Sequence, residues 1–227
     1  MMSDELRQRA GDLVQAAWEW ATSVGAIGPN SKRGAKFREF GAGSAICFPP
    51  AALFGERYIA IGSGSVVGPY ASLSAGVSPE HELGDVEVVR IGDGCVIGKS
   101  AGIVGHERIE IGDGVFTGPN VYITDANHGY EDLSAAIGRQ FGEPRPVRIG
   151  EHSWLGHGCV VLPGVTIGRH VVIGANAVVH NDLPDRCVAV GNPAQVVRHY
   201  EEGEGWVWSH PQHTHPHDLS QISTSQP

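Results

Sequence analysis

The chain is 227 residues long, with 16 basic against 25 acidic side chains, a formal net charge of −9, 32 glycines and 41% hydrophobic residues. That balance, with no block of Lys or Arg, excludes nucleic acid as the main partner, because phosphate binding draws on clustered cations. Abundant Gly without a G-X-Y period excludes collagen, the hydrophobic content excludes wholesale disorder, and no run of about 18 apolar residues offers a membrane span.

The first predicted element is a helix over residues 4–24, DELRQRAGDLVQAAWEWATSV. Ser3 is its N-cap candidate, and Asp4 and Glu5 lie in the first turn, where the helix dipole favours negative charge. Leu6, Leu13, Val14, Ala17 and Trp18 approximate one face, and Gly25 ends the element. The expected role of this 1–39 segment is to cover one open end of the domain, since open strand edges need covering.

From residue 40 to about 200 a different period governs the chain. It starts faintly at Phe40 and Ile46, is clear at Ile61, Val67 and Leu73, and returns at Ile91, Ile97 and Ile103, then at Ile111, Thr117 and Ile123. It is longest between Val147 and Val179, where aliphatics fall at Ile149, Leu155, Val161, Ile167, Ile173 and Val179, each six after the last. Modest side chains recur four places after an aliphatic, at Ser153, Cys159, Val165, Ala177 and Leu183. A helix needs a period near 3.6 and a single strand 2.0. A six-residue period fits short strands joined by tight corners, the pattern of a parallel β-helix. Three hexapeptides make one triangular coil, so the chain holds about five to six coils.

Residues 79–88 and, at greater length, 128–146 interrupt the period. Insertions in a repeat scaffold collect on one face and often carry function. After Arg198 the period is lost, and residues 201–227, rich in His, Pro, Ser and Gln, read as a mostly disordered tail. Its His210, His213, His215 and His217 read as solvated positions rather than a metal site. The four cysteines are scattered without a C-x-x-C, and Cys95 and Cys159 occupy inward positions of the repeat. With no secretory signal visible, the expected setting is reducing and cytoplasmic.

The repeats, the loop opening ITDANHGYED, then SWLG, LPGVTIG, IGANAVV and the closing AVGNPAQVVR resemble the hexapeptide-repeat acyltransferases, in particular the maltose and galactoside O-acetyltransferase branch. The likeness covers about residues 91–198. It implies a mainly β, left-handed parallel β-helix, a homotrimer, and acyl transfer from acetyl-coenzyme A to a hydroxyl of a sugar or other small acceptor, with no metal. By the same resemblance His128 is the general base. An imidazole titrating near neutrality suits the task of deprotonating a hydroxyl as it attacks a thioester.

The branch holds the acceptor with an Asn one coil earlier. Counting back from IGDG at 111–114 puts Ser100 there, a departure that leaves the acceptor's identity open. Asp125 and Tyr130 flank His128 as candidates to orient the ring or contact the acceptor, and Trp154 matches an aromatic walling the site. On the donor side the resemblance implies Gly156, His157 and Ala175 along the pantetheine arm, His180 and Asn181 near the nucleotide end, and Arg198 near the phosphates. His180 and Asn181 stand where the family has a Thr-Lys pair, so one positive charge is missing.

A zinc reading competes. The γ-class carbonic anhydrases share the scaffold and use two His five residues apart before an H-G-C phrase, as His152, His157 and Cys159 are spaced here. The register opposes it: these His lie three and two places after Ile149 and Leu155, not two and one, and a one-residue shift reverses the face. A non-catalytic trimeric binding scaffold is the third reading, disfavoured by the presence of His128.

Overall fold

A computed structural model describes residues 4–209; Ser3 and the four tail histidines lie outside them. The hexapeptides build three parallel sheets that the chain visits in rotation. The first holds six strands, from Glu39–Phe40 to Thr166–Ile167, and the third holds six, from Ala52–Phe54 to Val178–Val179, which makes six full coils. The second runs from Ala45–Ile46 through Val172–Ile173 and on into Cys187–Val190. The coil is left-handed.

Each repeat aliphatic points inward. Ile149, Leu155, Val161, Ile167, Ile173 and Val179 are all at most 2% exposed, as are Ser153, Cys159, Val165 and Ala177. Full burial of one such aliphatic contributes on the order of 1.5–3 kcal/mol. The period is six because each two-residue strand buries its second side chain, and a corner follows. Glycines just after the aliphatics let successive coils touch: a Cβ on Gly150 would meet the Arg169 backbone nitrogen at 2.5 Å.

The three outer faces differ. On the first sheet Glu39, Ala60, Arg90, Glu110, Arg148 and Thr166 stand in one register. Ion pairs lace this face, among them Arg90–Glu39 at 3.2 Å, Arg148–Glu110 at 3.1 Å and, beside the register, Arg108–Glu87 at 2.9 Å. The second sheet instead aligns Ala45, Val66, Val96, Phe116, Trp154, Val172 and Val188. Phe116 is 47% and Trp154 49% exposed, so this column is apolar and left uncovered by the described residues.

Two expectations about the ends are corrected. Helix α1 (Asp4–Val24) forms as expected but buries no residue, so it does not cover the end of the coil. Its last turn abuts Phe48, with Trp18 6.2 Å from that ring, at the corner between second and third sheets, and the helix leads away from there. Ile27, bridged to Ile46, and Phe37 are buried in the core and close that end instead. At the other end order does not stop near residue 200. Gln195–Glu201 and Gly205–Trp208 form an antiparallel hairpin that extends the second sheet. Alternate tail residues (Tyr200, Trp206, Trp208) supply apolar surface, which outweighs the acidic turn between them.

The cysteines are free thiols. Burial pushes Cys159 up to about 12 and Cys187 up to about 11, and raises Cys95 as well. Iodoacetamide on the native protein at pH 8 should therefore label half-buried Cys47 alone, with the other three reacting only on unfolding. Peptide mapping of the labelled protein reads this directly. Among the described residues no helix is long and apolar enough to cross a membrane.

Candidate active site

The 128–146 loop leaves the coil at the corner between third and first sheets, directly after Tyr122–Thr124. Its neck is tied by backbone bonds: Arg145 N–H donates to Asp125 O at 2.7 Å and Gly142 N–H to Asn127 O at 2.9 Å. His128 bridges Phe141 in antiparallel fashion, and its ring lies 6.1 Å from the Phe141 ring. The imidazole Nδ1 is 3.2 Å from the Gln140 carbonyl oxygen. A carbonyl only accepts, so this contact places the proton on Nδ1 and leaves the Nε2 lone pair free on an exposed ring.

Gln140 holds that carbonyl in place. Its side-chain amide donates to the carbonyls of Asp132 and Ala135 at 2.9 and 3.0 Å and accepts from the Asp132 N–H at 3.1 Å. The Asp132 carboxylate, bonded by the Ser134 hydroxyl and N–H, is held below the usual range. The loop is thus knotted by its own polar groups. Tyr130 is 67% exposed, and among the described residues its side chain forms no hydrogen bond or ring contact with His128.

Asp125 is placed otherwise than the sequence suggests. It is 0% exposed, and its carboxylate turns back into the preceding coil. There it accepts the backbone N–H groups of His106, Glu107 and Arg108 at 2.7, 2.8 and 2.6 Å. A carboxylate so enclosed has no surface left for an acceptor or for the His128 ring, and its part is to clamp the loop's root to the coil below.

That clamp reveals a residue the period did not single out. His106 stands one coil before the loop at the same corner, half-buried. Burial lowers its pKa; the nearby Asp125 carboxylate opposes this, while His81 and His128 add to it. His81, His106 and His128 therefore share one neighbourhood. The signal available in the sequence was the G-H-E phrase closing the strand Gly102–Gly105.

The remaining expected site residues fall on two other places. Trp154, exposed on the second sheet, stands beside His157 and Ala175, both exposed at the corner between second and third sheets. Ser100, half-buried with φ 58°, belongs to this same corner two coils earlier, across the third sheet from the loop. Gly156 is buried, and a Cβ there would meet the Ala175 nitrogen at 2.7 Å. The absence of a side chain there lets successive coils pack closely beside the His157 and Ala175 corner. Exposed His180 and Asn181 follow Val178–Val179 and so lie on the loop's side of the third sheet. Arg198 continues the outward column of the second sheet beyond Val188. Its guanidinium lies 4.8 Å over the Trp208 ring and donates to Trp206 O at 3.0 Å, while its Nε is buried without a hydrogen-bond partner among the described residues. Within one chain the His128 corner and the Trp154–His157–Ala175 corner are separate.

His152 and His157 flank the strand Trp154–Leu155 at opposite corners and do not converge. Among the described residues no group of three His, Cys, Asp or Glu side chains is placed to hold a metal ion.

The chain matches two family models, bacterial transferase hexapeptide (six repeats) over residues 146–181 and hexapeptide repeat of succinyl-transferase over 88–125. It is 40% identical over 141 residues to nodulation protein L of Rhizobium leguminosarum bv. viciae, covering 62% of this chain and 68% of that protein. It is 37% identical over 122 residues to a galactoside O-acetyltransferase of Lactococcus lactis, covering 54% and 58%. Across four of the curated relatives the chain spans 37% to 58% of their length, about half. AntD, an N-acyltransferase from Bacillus cereus solved in complex with dTDP and 3-hydroxybutyryl-CoA, superposes with a TM-score of 0.62 at 20% identity, covering 74% of this chain and 86% of that one. The last likeness concerns the fold. Repeats, register and relatives agree: the chain belongs to the hexapeptide-repeat acyltransferase superfamily.

Proposed function

We propose that the protein transfers an acetyl group from acetyl-coenzyme A to a hydroxyl of a sugar or similar small acceptor, with His128 as general base. The observation carrying this reading is the His128–Gln140 contact, which fixes the tautomer whose free Nε2 can take a proton. Acetyl-coenzyme A supplies an activated thioester. His128 Nε2 takes the hydroxyl proton as that oxygen attacks the acyl carbon, and the proton returns to the departing thiolate. No nucleophilic side chain is needed, and the buried, raised cysteines are unsuited to be one.

The residues fit such a donor. Ala175 is exposed, and its backbone N–H makes no hydrogen bond within the described chain, so it is available to an amide carbonyl of a pantetheine arm. Trp154 offers an apolar wall beside it. Because the base and this donor corner are apart in one chain, the working site needs a second copy, and a homotrimer with three such sites answers that. The uncovered apolar column of the second sheet is the surface such an assembly would bury, leaving the charged first sheet in water.

The test is free-thiol release from acetyl-coenzyme A over a panel of sugars, amino sugars, amino acids and antibiotics, with light scattering on the same sample. Acceptor-dependent release and a mass near three chains of 24.0 kDa are expected. Silence across the panel would overturn the enzymatic reading, and a stable monomer would overturn the shared site.

A further inference from the structure

The corner between first and second sheets carries a column of left-handed residues. In the first four coils these are Gly43, Gly64, Gly94 and Gly114; in the last two coils and the part-turn that follows they become His152, His170 and Arg186, with φ 58°, 56° and 52°. The backbone does not require the change. Gly94 N–H donates to Ser63 O and Gly114 N–H to Asp93 O at 2.8 Å, and His152 and His170 donate likewise to Asp113 O and Glu151 O at 2.8 Å. Glycine adopts this conformation freely, whereas a side chain pays a steric cost there. The next corner carries the same conformation at Tyr70, Ser100, Asn120 and Asn176, so what sets this column apart is its chemistry: two imidazoles and a guanidinium stand one above another in three consecutive turns.

The C-terminal hairpin closes over the column. Tyr200 and Trp206 meet edge to face, centroids 5.9 Å apart, and the Arg186 guanidinium lies 5.7 Å over the Tyr200 ring. Together they line an open groove of about 400 Å³. That is within the range of small-molecule sites. Arg169 on its wall is already paired with Asp185 at 3.0 Å, while Arg186 forms no ion pair among the described residues. The pocket belongs to neither acyl-transfer corner.

We propose that this pocket binds a nucleotide-type ligand, its ring stacked on Trp206 with Tyr200 beside it, and a phosphate held by Arg186, His170 and His152. A guanidinium fork and imidazole N–H groups together select an acceptor-rich anion, and phosphate suits that fork. The aromatic pair selects a planar ring, as bases stack on such side chains. Glu151, the acid on the wall, is placed to accept from a ribose hydroxyl.

The test is calorimetric titration of the full chain with ADP and with UDP, and separately with adenosine and with inorganic pyrophosphate, each repeated at saturating acetyl-coenzyme A. A nucleotide should bind at least about tenfold more tightly than either half alone, with or without acetyl-coenzyme A. The double variant His170→Gly, Arg186→Gly should weaken it by at least about tenfold. Its thermal midpoint should hold or rise, because glycine relieves the corner. Trp206→Ala should weaken nucleotide but leave pyrophosphate unchanged. Absence of saturable nucleotide binding, binding indifferent to the corner variants, displacement by acetyl-coenzyme A, or pyrophosphate binding as tightly as ADP would each overturn the proposal.

Discussion

Replacing His128 with Ala should lower acceptor-dependent acyl transfer by about 10²–10⁴-fold, the usual worth of a positioned general base. Folding should be untouched, because the ring is exposed and its packing partner Phe141 is 67% exposed. The loss should fall on kcat and kcat/KM alike, as for an interaction made in the transition state. His128→Asn tests the tautomer separately. An Asn side chain can still donate towards the Gln140 carbonyl but brings no basic nitrogen, so its rate should match that of the Ala variant. Turnover within a few fold of wild type in both would remove His128 from the chemistry.

Asp125→Asn should destabilise the protein by about 3–5 kcal/mol, the cost of weakening several charge-assisted bonds at a buried corner. Three backbone N–H groups converge on this carboxylate. An Asn amide offers one acceptor oxygen and turns an NH2 towards the remaining donors. For a chain of this length the thermal midpoint should drop by on the order of 10 °C. A residue that merely touched the acceptor would instead raise KM with an unchanged midpoint. That second pattern would refute the clamp. With the clamp weakened, the loop's root should loosen, so kcat should fall as well, though less than for His128→Ala.

The coil was legible because its burial is written directly into the spacing. Every sixth position from Ile149 to Val179 points inward and is an aliphatic, and glycines mark many of the turns. His128 was legible through the loop that breaks the period. Asp125 was not, because what it bonds to lies a full coil back, and the partners are backbone groups whose identity leaves no trace in sequence. Gln140 was hidden for the same reason: its amide and carbonyl act on main-chain atoms. The hairpin Gln195–Trp208 was obscured by its acidic turn, and α1 by the absence of any periodic signal for where a helix docks.

The loop departs after the fourth of the six coils, so neither end of the stack is adjacent to it. In a quasi-one-dimensional protein each coil is stabilised chiefly by its two neighbours, and local opening begins at the termini. Fraying must consume whole coils before it reaches the root of the loop at Asp125. The protein can therefore breathe at both ends on the timescale of amide hydrogen exchange while the geometry around His128 persists, and partial unzipping need not mean inactivation.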